Sequence, residues 1–187
     1  MATVTLKEKF NTEIAASLMR DFGVKNRMAV PRVTKVTLNV GISASNKDQK
    51  LQETVEQTLA RITGQKPVAT LAKKSIAAFK VREKQVVGMK VTLRGARMYH
   101  FLDKLVNITL ARVRDFRGLS PKTIDAHGSL SIGMKEHIAF PEIRPDEVER
   151  IHGLEIVITT TAGTKEKGLA LFKALGFPFM AAEPKKK

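Results

Sequence analysis

Leu6, Phe10, Ile14, Leu18 and Phe22 recur every four residues, the spacing of one helix face, and Gly23 follows where a helix would be capped. Pro31 then breaks the chain, and from residue 33 the period drops to two. Across VTKVTLNVG (33–41), Val36, Leu38 and Val40 share one face, while Lys35, Thr37 and Asn39 share the other. That alternation predicts a strand with one dry and one polar face. Ser45 and Asp48 have the spacing of a capping box, and Leu51, Val55, Leu59 and Ile62 predict a second helix that stops at Gly64. Residues 65–85 have no clear period and predict a short strand near 67–71 followed by an exposed basic loop.

Alternation returns over VVGMKVTLR (86–94). Val87, Met89, Val91 and Leu93 point one way, and Lys90, Thr92 and Arg94 the other. After Gly95, Met98, Phe101, Leu102, Leu105 and Ile108 form the apolar stripe of a long helix that frays near Gly118. Leu130, Ile132 and Met134 mark a short strand, and 135–153, with Pro141 and Pro145, reads as an irregular loop with a short helix. LEIVITTT (154–161) is rich in β-branched residues and reads as a strand. Leu169, Phe172 and Leu175 complete a last helix capped by Gly176. Helices and strands mix without strict βαβ alternation. The pattern predicts an α+β fold, a mostly antiparallel sheet with helices packed on one face and a polar face left open. No repeat or linker divides the chain, so one domain is expected over 1–179, followed by a basic, disordered tail at 180–187.

Composition adds a partner to this picture. A hydrophobic fraction of 43% is enough for a folded core, yet the net charge is +15, a self-repulsion that is usually carried for the sake of a polyanion. Nucleic acid is the commonest such partner and an anionic membrane surface the next. No apolar run approaches the ~18 residues of a membrane span. Met1–Phe10 lacks a signal-peptide core, and the early acids Glu8, Glu13 and Asp21 argue against a transit peptide. With no cysteine there are no disulfides or thiolate metal sites. The expectation is a soluble, cytoplasmic chain.

The charge is also segregated. Segment 61–84 carries seven bases against the single acid Glu83, whereas 136–155 carries six acids against Arg144 and Arg150, so the positive charge forms a surface in mid-chain. If the two alternating strands share a sheet, Lys35, Thr37, Asn39, Lys90, Thr92 and Arg94 lie on one face. Lys and Arg there could meet phosphates, and Thr and Asn could reach 2′-hydroxyls and base edges. The plainer alternative is the wet face of a half-covered sheet. Phe79, set among bases in SIAAFKVR, is either a stacking platform for a base or a core anchor for its loop.

Signs of catalysis are missing. His100, His127, His137 and His152 have no ligand spacing and read as surface or internally satisfied histidines. AGTKEKG (162–168) lacks the order of a phosphate loop and reads as a turn into a helix, and there is no GxSxG. Asp103 and Asp115 lie beside bases, as surface ion pairs do. A nuclease or RNA-modifying enzyme would need clustered acids or a cofactor loop. The expectation is therefore a non-enzyme with no cofactor and no metal. A free RNA chaperone is the remaining rival.

PRVTKVTLNVG (31–41), TGQKP (63–67), AKKSIAAFKVR (72–82), GMKVTLRG (88–95), RVRDFRGL (112–119), FPEI (140–143), LEIVITTTA (154–162) and GFPF (176–179) occur in this order. Together they closely resemble the bacterial large-subunit ribosomal protein L-five family, which binds 5S ribosomal RNA. The resemblance implies a structural protein of the central protuberance, in contact with 5S rRNA, 23S rRNA and neighbouring 5S-binding proteins. It implies 5S contacts at Asn39, Gln65 and Thr92, with Lys66 beside them in the GQKP motif. The loop holding Lys73, Lys74, Ser75, Phe79, Lys80 and Arg82 would approach the elbow of the peptidyl-site tRNA. The region 112–145, with Arg112, Arg114, Arg117, Lys135 and Glu142, would face the small-subunit head and its protein S-thirteen.

The chain departs from the family pattern in places. Lys84 stands where Gly is usual, Val86 where Pro is common, and His137 where Gln is usual. IDAHGSLSIG (124–133) lacks the family's aromatics, and TKEK opens the last helix with weakened acid capping.

Overall fold

A computed structural model describes residues 5–42, 49–114, 116–144, 146, 148 and 150–180; the side chain of Gln49 is not among them. The capping box at Ser45, the ion pair at Asp115, the loop proline Pro145 and nearly all of the predicted tail lie outside these residues.

Five strands form one sheet: β1 (Val33–Gly41), β2 (Val68–Leu71), β3 (Val86–Leu93), β4 (Leu130–Met134) and β5 (Leu154–Thr160). Their spatial order is β2-β3-β1-β5-β4, so β2 and β4 are the edges. The sheet is antiparallel, and with its helices it gives the α+β class that the alternation predicts. β2 pairs antiparallel with β3, with Val68 opposite Lys90 and Leu71 opposite Val86, and the ladder is irregular between Thr70 and Leu71. The chain falls into two compact units that exchange segments several times. One comprises 1–36, 94–131 and 157–187; the other comprises 37–93 and 132–156.

In the first unit, the N-terminal helix runs through Leu6–Lys9, a wider π-type turn at Phe10–Ile14, and Ala15–Asp21. A strict four-residue spacing drifts by about 40° per step on a regular helix, and the wider turn takes up part of that drift. Leu6, Ile14, Ala15 and Leu18 are thereby buried, and Leu6–Lys9 packs on Gly95–Lys104. The second π-type turn, Leu105–Thr109, produces a difference from the sequence pattern. Met98, Phe101, Leu102 and Leu105 are buried as the stripe predicts, but the extra residue rotates the face. Thr109 and Leu110 become buried, and Ile108 is left 44% exposed. The last helix, Lys165–Ala174, starts at Thr164, whose hydroxyl accepts from the Lys167 N–H at 3.5 Å. It buries Leu171 and Phe172, and Gly168 sits so close to Gly128 that a Cβ would come within 2.5 Å of backbone.

In the second unit, the helix Gln49–Thr63 buries Val55, Leu59 and Ile62 and packs against β3. Leu38, Val40, Met89, Val91 and Leu93 are buried, as the alternation predicts, while Val87 on the same predicted face is half-buried. Each such side chain contributes about 1.5–3 kcal/mol when removed from water. β3 also approaches β1 closely. A Cβ at Gly88 would lie 2.6 Å from the Val40 carbonyl oxygen, so only glycine fits there. Phe140 and Ile143, on the segment that follows β4, are buried.

Candidate nucleic-acid interface

The face of β1 and β3 opposite the buried stripe carries the polar residues. In the second unit these are Thr37 and Asn39 on β1 and Lys90 and Thr92 on β3. Thr37 and Thr92 are half-buried, whereas Asn39 and Lys90 are exposed. The exposed carboxamide of Asn39 is open to a partner from solvent. Lys35 and Arg94 belong to the first unit, half-buried on β1 and exposed after β3 respectively.

Gln65 joins this face through a turn. The helix ending at Thr63 is closed by Gly64 at φ +65°, a left-handed conformation that glycine adopts readily. The Thr63 hydroxyl donates to the Leu59 carbonyl at 2.6 Å and accepts from the Gln65 N–H at 3.3 Å. Gln65 Nε2 then donates to the Thr92 carbonyl at 3.3 Å. The carboxamide of Gln65 is thus held beside Thr92, although 27 residues separate them in sequence. Lys66, next to it, is 86% exposed and makes a loose 3.9 Å pair with Glu56, which leaves its charge largely to solvent.

The basic loop between β2 and β3 is a hydrogen-bonded ribbon. Ala72 and Gln85 close its base through Ala72 N–H to Gln85 O at 2.9 Å, and Ile76 and Val81 exchange two backbone bonds near its tip. Ser75 Oγ accepts from the Glu83 N–H at 2.9 Å, so this hydroxyl holds the ribbon in shape. Lys73, Lys74, Ser75, Phe79 and Lys80 are exposed, as is Arg82. Phe79, at 69% exposure, is no core anchor. Lys80 and Lys84 have φ of 53° and 63°. At Lys84 the chain takes a left-handed bend at some cost, because the residue carries a side chain.

The residues expected on the small-subunit side are divided. Arg112, Arg114 and Arg117 lie in the first unit and are all exposed, and Lys135 is exposed in the second. Glu142 is half-buried, with its Oε2 out of reach of solvent. Among the described residues, no group of three or more His, Cys, Asp or Glu could hold a metal ion, and no helix is long and apolar enough to cross a membrane.

Residues 26–82 match the family model described as ribosomal protein L5, and residues 86–179 match the model of the same family's C-terminus. The chain belongs to the ribosomal protein L5 family. A relative in Halothermothrix orenii, named large ribosomal subunit protein uL5, is 54% identical over 93% of this chain and 97% of its own length. Proteins of the same name in Psychrobacter arcticus and Kosmotoga olearia are each 49% identical, over 93% and 94% of this chain and 98% and 96% of their own lengths. The L5 chain is a structural, non-enzymatic constituent of the large ribosomal subunit of the cytoplasm, and it works in translation among ribosomal RNA and other ribosome components.

The sequence pattern found the polar face of this L5 chain but missed two features. The Thr63–Gln65–Thr92 linkage could be signalled only by the glycine after the second helix. The stacking of His137 on His152, with ring centroids 4.0 Å apart, had no signal in spacing.

Proposed function

We propose that the open face of the second unit clamps 5S rRNA in the central protuberance of the large subunit. Asn39, Gln65 and Thr92 serve as the polar readers of its 2′-hydroxyls and base edges. The observation that carries this reading is the fastening of Gln65 beside Thr92, on the strand next to the one that presents Asn39. Pre-positioned polar groups lose little freedom on binding and leave unpaired partners when removed. Thr37 lies on the same face, and Lys66 and Lys90 supply the salt-dependent attraction to phosphates. Lys35 and Arg94 of the first unit make phosphate contacts of their own.

The ribbon between β2 and β3 is the second contact. Lys73, Lys74, Lys80 and Arg82 meet phosphates of the peptidyl-site tRNA elbow or of 23S rRNA, while Phe79 stacks on a base. Ser75 acts by holding the ribbon's shape. Arg112, Arg114, Arg117, Lys135 and Glu142 form the contacts to protein S-thirteen of the small-subunit head, and neighbouring 5S-binding proteins complete the surroundings.

The test is to capture the tagged chain from cell lysate at rising salt and sequence the RNA that stays with it. Enrichment of 5S rRNA that survives the salt steps is the expected result. RNA recovered in proportion to its abundance would overturn the reading.

A further inference from the structure

The segment between β4 and β5 is closed at its neck. Gly153 lies so near the end of β4 that a Cβ there would meet the Met134 carbonyl oxygen at 3.0 Å. Beside this approach, the rings of His137 and His152 stack nearly parallel, 8° apart, with centroids at 4.0 Å. His137 is 1% exposed. Its Nδ1 lies 3.2 Å from both the backbone N–H and the carbonyl oxygen of His152. A neutral Nδ1 accepts from that N–H; a protonated one loses this bond and can only donate to the carbonyl. His152 Nδ1 lies 3.4 Å from the Gly153 carbonyl, and its Nε2 is buried with no hydrogen-bond partner. The second proton of a charged His152 would therefore sit on a buried nitrogen with nothing to accept it.

We propose that His137 and His152 form an acid-sensitive clasp at the neck of the segment 135–153, closed while both rings are neutral and opened when acid charges them.

Burial away from water favours the neutral state of both rings. Arg61, from the helix Gln49–Thr63, and Arg144, from the segment itself, line the same cavity as His137. The other charged groups described on the segment are Lys135, Glu136, Glu142, Asp146 and Arg150. Two charged rings at stacking distance would also repel each other. Burial, and then the neighbouring His137, hold His152 down to about 4, and burial holds His137 below its ordinary value. The sign follows from proton counting. In the unfastened chain both rings take up protons near about 6.5, and in the closed clasp they do so at lower pH. The clasp's contribution is therefore complete above about pH 6.5 and is lost as the pH falls towards about 4.

Hydrogen–deuterium exchange on the full chain tests this, at about pH 7.5 and about pH 5, with labelling times scaled to equal intrinsic exchange. Amides of 137–153 should lose protection about tenfold at the lower pH while β1 and β3 keep theirs, and the His137→Gln, His152→Gln double variant should remove the difference. Unchanged protection in the native chain would overturn the proposal. So would an equal loss in the variant, which would trace the effect to other groups. NMR titration of the native chain provides a check that needs no variant. A His152 ring that titrates together with opening of the segment supports the clasp. A ring that titrates at about 6.5 while the segment stays closed refutes it.

Discussion

On the proposed reading, Asn39 and Thr92 are short polar side chains whose removal would leave RNA groups without partners. Asn39→Ala and Thr92→Ala should each weaken 5S rRNA binding by roughly 1–3 kcal/mol, read by filter binding, with the fold unchanged by circular dichroism. Their placement was legible because a strand's period of two assigns faces from sequence alone. Gln65 was a different case. No local pattern carries residue 65 to residue 92; the glycine turn and the Thr63 hydroxyl do so through tertiary packing. The basic residues act by charge and should show it differently. Lys73→Ala and Lys74→Ala should each lower the slope of log affinity against log salt by about one unit if each meets one phosphate. An unchanged slope in both would remove the ribbon from the RNA contact.

At the level of elements, alternation identified β1, β3 and β4 well because each has one buried and one open face, whereas β2 has no buried side chain and showed no period. The helices were less legible at their π-type turns, since one inserted residue rotates everything after it; Ile108 shows the consequence. Close approaches between strands were not legible either, because they depend on a partner far away in sequence. Gly88 is the clearest instance. A Cβ there has no room against the Val40 carbonyl, so Gly88→Ala should destabilise the chain by about 1–3 kcal/mol in urea unfolding, and a fully stable variant would contradict the close approach of β3 to β1. The loop end offers the opposite change. Lys84 holds a left-handed backbone that glycine adopts without strain, so Lys84→Gly should raise the unfolding free energy by up to about 1 kcal/mol. Val86 starts β3 and pairs with Leu71, just past the irregularity between Thr70 and Leu71.

Across the whole molecule, the charge of +15 announced a polyanion without naming it. Order along the chain did not reveal that two compact units exchange segments, because neither unit is continuous in sequence. Family membership fixes the ribosomal role, and the second unit supplies a face with Gln65 already fastened beside Thr92. Two kinds of binding are therefore separable: a phosphate term that any RNA can satisfy and that weakens with salt, and a polar-face term that resists salt. The most direct measurement is competition filter binding of 5S rRNA against an unrelated RNA of equal length, at several salt concentrations. The prediction is a preference for 5S rRNA that widens as salt rises and narrows in the Asn39→Ala, Thr92→Ala double variant. Equal affinity for the two RNAs at every salt concentration would contradict the account.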